Sequence, residues 1–294
     1  MEVVGVSDKE PLSFAGSTLV FPGCGGVAHV GEMCVDALVS SFALKRVAYV
    51  KSRYLLPVVM SNAWSSGPPE AKALSLTTAA ELYKADSAPG LVVLQIRTPL
   101  AAGCRRRVAQ ELWDWVQSAG FASVVIAAPC SSHVKVDADI DAATELRYLH
   151  VHPEGLRPCD LSEVLPLGHA LPEPGSDPAS WVLAQKQLRG SGLARSFLEI
   201  ANGSSSGIGV LCLLAFSGES LNGFVLEKLT SCVLEKIARL VGIACPALKP
   251  PPSWLYEENW HRTVFLPAWQ HGLVQGLMPL LPDLPSLEAR HLWG

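Results

Sequence analysis

The stretch Thr18-Leu19-Val20-Phe21-Pro22-Gly23-Cys24-Gly25-Gly26-Val27-Ala28, running on into Val30-Gly31-Glu32-Met33-Cys34-Val35-Asp36-Ala37-Leu38, decides the fold class. Residues 18–21 are apolar or β-branched with no polar alternation, which suits a strand buried on both faces. A proline and three glycines then break the strand. Beyond them Val30, Met33, Cys34, Ala37, Leu38 and Ser41 recur at helical spacing, the stripe of a helix packed on a sheet.

Working outward, runs of the same strand character recur at 47–51, 91–97, 123–128 and 210–216. Helical stripes lie between several of them. One covers 104–119 through Val108, Leu112, Trp115 and Val116, with Gly120 as its stop; another covers 221–241 and closes at Gly242. This alternation predicts an α/β domain with a mostly parallel sheet flanked by helices, a Rossmann-like or nucleoside-phosphorylase-like layered domain. Leu74, Leu76 and Thr78 alternate ahead of a turn at 86–90, so 74–84 reads as a hairpin partner of the 91–97 strand. Residues 131–180 hold several prolines and little periodicity and read as a long surface excursion. Proline crowding after Cys245 divides the chain into an α/β domain at 1–245 and a proline-rich arm at 246–294, packed in part on the same domain.

Composition narrows the function. Charged residues make up 17% of the 294 residues and hydrophobic ones 49%, against roughly 25% charged in an ordinary soluble domain. Either the surface is largely uncharged polar or part of it is covered by a partner. A net charge of −4 excludes a nucleic-acid binder working through a broad basic field. The strongest apolar run, 208–216, is less than half of the about twenty residues a membrane helix needs. Residues 1–12 lack the apolar centre of a signal peptide. Eight cysteines without Cys-x-x-Cys spacing fit a reducing compartment, cytosol or nucleus.

Several motifs imitate enzymes. Gly23-x-Gly25-x-x-Ala28 matches the dinucleotide fingerprint, and Lys51 with Arg53 after the second strand offers charge for a 2′-phosphate; a plain tight turn is the commoner reading. Asn202-Gly203-Ser204-Ser205-Ser206-Gly207-Ile208-Gly209 imitates a short-chain dehydrogenase loop. No Tyr-x-x-x-Lys accompanies it, and that pair is what moves the proton in such enzymes. Cys130 and His133 sit just past an apolar strand, a common address for nucleophile chemistry, without an identifiable orienting group. His150 and His152 alternate but find no further ligand at metal spacing. Asp137, Asp139 and Asp141 open like a calcium loop whose required glycine and glutamate are instead Ala142 and Tyr148. The leading enzymatic alternative is therefore a nucleotide- or nucleoside-binding enzyme using the 23–28 turn.

A set of ordered blocks points elsewhere. Phe14-Ala15-Gly16-Ser17-Thr18-Leu19-Val20-Phe21-Pro22, the helix start Val30-Gly31-Glu32-Met33, Val47-Ala48-Tyr49, Leu55-Leu56-Pro57-Val58-Val59 and Val93-Leu94-Gln95-Ile96-Arg97 come first. Trp115-Val116-Gln117-Ser118-Ala119-Gly120, Ser131-Ser132-His133, Gly190-Ser191-Gly192-Leu193-Ala194-Arg195-Ser196-Phe197-Leu198 and Pro252-Ser253-Trp254 follow. Together they resemble the proteasome core-particle assembly chaperone family. That resemblance implies a non-enzymatic protein without cofactor or metal, in cytoplasm and nucleus. It would form a heterodimer with proteasome assembly chaperone 1, bind proteasome α-subunits, promote α-ring formation and prevent incorrect ring association. It also implies that both glycine-rich segments are structural connections. Family members can end in a hydrophobic–Tyr–X motif that enters pockets between α-subunits. Leu292-Trp293-Gly294 keeps its first and last positions but has Trp in the middle, which removes the hydroxyl. These three residues are the expected partner-binding tail.

Overall fold

The computed structural model describes residues 1–6, 12–61, 76–167, 186–220 and 222–251. In chain order the strands are β1 (Glu2–Gly5), β2 (Thr18–Pro22), β3 (Lys45–Lys51), β4 (Val59–Ser61), β5 (Leu76–Thr78), β6 (Ala80–Lys84), β7 (Leu91–Ile96), β8 (Ser123–Ser131), β9 (Leu146–Val151), β10 (Leu165–Pro166) and β11 (Gly209–Ser217). The α-helices are α1 (Val30–Ser41), α2 (Arg105–Ser118), α3 (Asp137–Ile140), α4 (Leu193–Asn202) and α5 (Gly223–Val241). Among the described residues, nine strands form one sheet in the order β1-β3-β6-β7-β2-β8-β11-β9-β10, and β4 pairs with β5 in a separate ribbon.

The four central strands β7, β2, β8 and β11 run parallel. Antiparallel pairs extend the sheet through β6, β3 and β1 on one side and β9 on the other. The central strands are buried along their length up to Ser131, the half-buried last residue of β8, as runs without polar alternation require. Alternate residues serve two cores. Leu19, Phe21, Val124, Ile126, Val92 and Leu94 face the side covered by α2 and α4, where Trp113 meets Phe197 edge-on at 5.4 Å and Phe197 meets Phe21 at 4.9 Å. Val20, Val125, Ala127, Leu211 and Leu213 face the side covered by α1 and α5. The result is a three-layer α/β/α sandwich, the layered α/β domain its sequence leads one to expect.

Two expectations need correction or completion. The hairpin partner of the 91–97 strand is β6, antiparallel to β7 with Glu81 opposite Gln95. The supposed surface excursion at 131–180 instead supplies β9, which pairs antiparallel with β11 over six positions and buries Leu146, Arg147, Leu149 and Val151. Its pattern Leu-Arg-Tyr-Leu-His-Val hides the strand because a buried arginine breaks the apolar run. Beyond Cys245, Leu248 packs on the α1/α5 core and the Lys249 N–H donates to Ser41 Oγ at 2.9 Å. Leu292, Trp293 and Gly294, with the Pro252-Ser253-Trp254 block, lie outside the described residues.

Candidate functional site

Parallel central strands end together, and α/β proteins place ligands outside those carboxyl ends where the strand order reverses. Here the switch point is β2, flanked by β7 and β8. The 23–28 turn leaves β2 at this spot, so the position a dinucleotide would use is present. What fills it is protein.

The five amides from Gly23 to Val27 are each already bonded. Gly23 N–H donates to Ala127 O at 2.8 Å, Cys24 to Pro22 O at 2.7 Å, Gly26 to Gly23 O at 3.1 Å and Val27 to Gly190 O at 2.8 Å. Gly25 N–H donates to Glu32 Oε1 at 2.9 Å. Glu32 stands in the first turn of α1, so the chain supplies its own carboxylate where an anionic ligand would meet a helix start.

A second glycine turn, residues 190–192, closes over the first. Ser131 N–H reaches Arg189 O at 2.8 Å and Leu193 N–H reaches Cys24 O at 2.9 Å. Cβ atoms added at Gly23, Gly26 or Gly190 would lie 2.5–2.6 Å from Ala128 Cβ, Pro129 Cγ and Val27 Cγ2 respectively. Gly192 has φ +60 and ψ −128, a backbone state for glycine alone, and its added Cβ would overlap the Cys24 and Gly23 carbonyl oxygens. Gly23, Gly26, Gly190 and Gly192 serve close approach within the protein rather than to pyrophosphate.

The rest of the dinucleotide pattern also fails. The strand after α1 is β3, which lies three places from β2 in the sheet, so Lys51 and Arg53 are not brought beside the turn as a second Rossmann strand would bring them. Lys51 is 3.9 Å from Glu2, and the Arg53 guanidinium sits 5.7 Å from the Tyr54 ring centroid. Helix α1 starts only after Ala28 and His29, both at φ 53.

The other sequence candidates are placed as follows. Cys130 is fully buried in β8 and burial pushes its thiol up to about 12, so at neutral pH it is no thiolate nucleophile. His133 sits exposed in a short turn after β8, its N–H 3.4 Å from Ser131 Oγ. His152 turns into the left-handed region and its Nε2 donates to Ala201 O at 3.2 Å, away from a metal role with His150. Among the described residues no three His, Cys, Asp or Glu side chains are grouped to hold a metal ion. The 203–209 segment packs on Gly155, whose added Cβ would lie 2.5 Å from Gly209 N. It is a structural connection. All eight cysteines are free thiols.

Sequence reasoning missed the buried charges. Asp36, on the inner face of α1, accepts from Arg97 and Gln95 of the neighbouring strand edge. Glu81, opposite Gln95, accepts from Arg46 at 2.9 Å, from Thr78 N at 2.8 Å and from the Tyr83 hydroxyl. Asp139 and Arg147, each almost fully buried, pair at 3.0 Å, with the Arg147 guanidinium also over Phe216. These groups lock α1 to β7 and the α3 turn to β9.

Fold and site together define a doubly wound α/β scaffold whose switch point is closed by its own backbone. The chain belongs to the PAC2 family, whose model matches residues 20–249. Proteasome assembly chaperone 2 of Danio rerio is 32% identical over 137 residues, covering 47% of this chain and 51% of that protein. The chain spans about half the length of the curated relatives it matches. Among solved structures, Pyrococcus furiosus PbaA, an archaeal homolog of proteasome-assembly chaperone, superposes with TM-score 0.53 at 15% identity, over 83% of this chain and 87% of that one. Pyrococcus furiosus PbaB, an archaeal proteasome activator, does so with TM-score 0.51 at 14% identity, over 83% and 89%. At such identities the two structures share the fold with this chain.

Proposed function

We propose that this protein is a non-enzymatic proteasome assembly chaperone. It pairs with proteasome assembly chaperone 1, binds α-subunits, promotes the α-ring and prevents incorrect ring association, in cytoplasm and nucleus. Membership of the PAC2 family over residues 20–249 carries the reading. Two further observations support it. The nucleotide-like turn spends its amides internally, which disfavours the enzymatic alternative. Large apolar side chains stand in solvent, among them Leu56, Val59 and Leu76 around the β4/β5 ribbon, Val136 and Ile140 after β8, and Phe224 at the start of α5. Surface of that kind suits a partner's coverage. Leu292, Trp293 and Gly294 act in this reading as the aromatic anchor entering an α-ring pocket.

The test is purification of the tagged full chain from cells with mass spectrometry, paired with nucleotide titration of the pure protein. Recovery of a second chaperone with α-subunits, and no saturable nucleotide binding, is expected. Absence of both partners, or nucleotide binding lost on bulky replacement of Gly25, overturns the reading. Deleting Leu292, Trp293 and Gly294 is expected to weaken α-ring binding; unchanged affinity sinks the anchor while leaving the heterodimer open to its own test.

A further inference from the structure

The start of α2, the segment after β3 and the first turns of α4 meet on one face that gathers five arginines. Arg105, Arg106 and Arg107 are the first three residues of α2 and are exposed. This is an unusual choice. The amide end of a helix is its positive pole and favours Asp or Glu, yet the first turn of α2 has no acidic residue and no side-chain cap. Arg53 and Arg107 flank one ring, their guanidinium carbons 5.7 and 5.8 Å from the Tyr54 centroid. Ala101 N–H, donating to Tyr54 O at 2.8 Å, ties that segment to the approach to α2. On α4, Arg195 lies 3.0 Å from Glu199, which Arg106 also approaches at 3.8 Å.

The carboxylates answering these groups are Glu199 and Glu111, the latter accepting from Ser52 Oγ at 2.6 Å. The adjacent Lys51–Glu2 pair adds one charge of each sign. Among the described residues, five guanidiniums against the two carboxylates in contact with them leave this face at about +3 on a chain whose formal net charge is −4. Local stability and surface charge balance both argue against such an arrangement, so an external anionic partner is the economical reason for it.

We propose that this arginine face docks a protein segment bearing clustered carboxylates. The chemistry favours carboxylate over nucleic acid. Tyr54, the aromatic ring at its centre, packs against the core and is flanked by both guanidiniums, so it offers no platform on which a base would stack. Glu199, held between Arg106 and Arg195, already shows the face accepting a carboxylate. The inference stands independently of the proteasome reading, since it rests on charge placement alone.

Fluorescence anisotropy with a labelled oligoglutamate peptide and the full chain tests it, alongside an oligonucleotide of equal length and thermal melts of every variant. Saturable peptide binding that weakens with added salt is expected. An Arg53→Glu/Arg105→Glu variant should lose roughly tenfold or more in affinity, an Arg53→Gln/Arg105→Gln variant less. Arg105→Glu alone should melt no lower than wild type, because its new charge suits the helix pole. No peptide binding at low salt, unchanged affinity in folded variants, or equal or tighter oligonucleotide binding each overturns the proposal.

Discussion

Replacing Gly192 by alanine tests whether the switch point is closed by backbone contact. The residue occupies φ +60, ψ −128, and a Cβ there would overlap two carbonyl oxygens and lie 2.6 Å from Gly26 N. Forcing an alanine into that backbone state costs about 1–3 kcal/mol. Overpacking against backbone atoms, which cannot swing aside as a side chain does, adds about 1–3 kcal/mol. If the turns separate instead, the Leu193 N–Cys24 O and Val27 N–Gly190 O bonds are lost, each worth about 0.5–1.5 kcal/mol net. Either route gives about 2–6 kcal/mol, which for a domain of this size lowers Tm by roughly 5–20 °C. Gly25→Ala is the matched control. Its φ is +70 but nothing lies within 4 Å of the added Cβ, so only the left-handed penalty of about 1–2 kcal/mol applies. Urea titrations and melts followed by circular dichroism compare the two variants. Gly192→Ala proving no more destabilising than Gly25→Ala would refute the interlock, and with it the reason for denying a ligand this turn.

Three further outcomes follow from the same structure. Asp139→Ala leaves Arg147 charged and buried, with the Thr144 and Leu146 carbonyls its remaining acceptors among the described residues, and should cost about 3–5 kcal/mol in a urea titration; a loss below about 1 kcal/mol contradicts the pairing. Native-state alkylation with mapping by mass spectrometry should label exposed Cys245 and spare Cys24, Cys34 and Cys130, whose thiols burial pushes up to about 12; early labelling of Cys130 would reopen nucleophile chemistry there. His29 is raised above its ordinary value, chiefly by its hydrogen bond with Glu32. Its contribution is therefore present below about pH 6.5 and lost as pH rises through the folded-state value. Melts over that window should show a small fall for wild type that Glu32→Gln flattens, and an unchanged slope in the variant removes His29 as its source.

The central layer was open to reading because its strands are buried on both faces. A residue in β2, β8 or β11 has no solvent side on which to carry a polar group, so the apolar runs announce themselves. Helices α1, α2 and α5 betray themselves by apolar residues at helical spacing, although α1 is buried well beyond one stripe. Strand β9 did not, since Arg147 interrupts its run and its charge is answered by Asp139, eight residues earlier and on another element. Nothing in the residues around Asp36 marks it as buried either; β7 and the residue after it supply the Gln95 and Arg97 that let it be buried.

The sequence by itself determined a layered α/β domain, a shortage of charge and the order of blocks that marks the PAC2 family. Whether Gly23 and Gly26 cradle a phosphate or pack against protein was beyond it, because both uses demand the same absent side chains. Tertiary structure decided the matter by bringing residues 189–193 onto the turn, from more than a hundred and sixty residues away, and by turning Glu32 back onto Gly25. Local sequence specifies that a backbone can be approached closely; only the assembled fold specifies what approaches it.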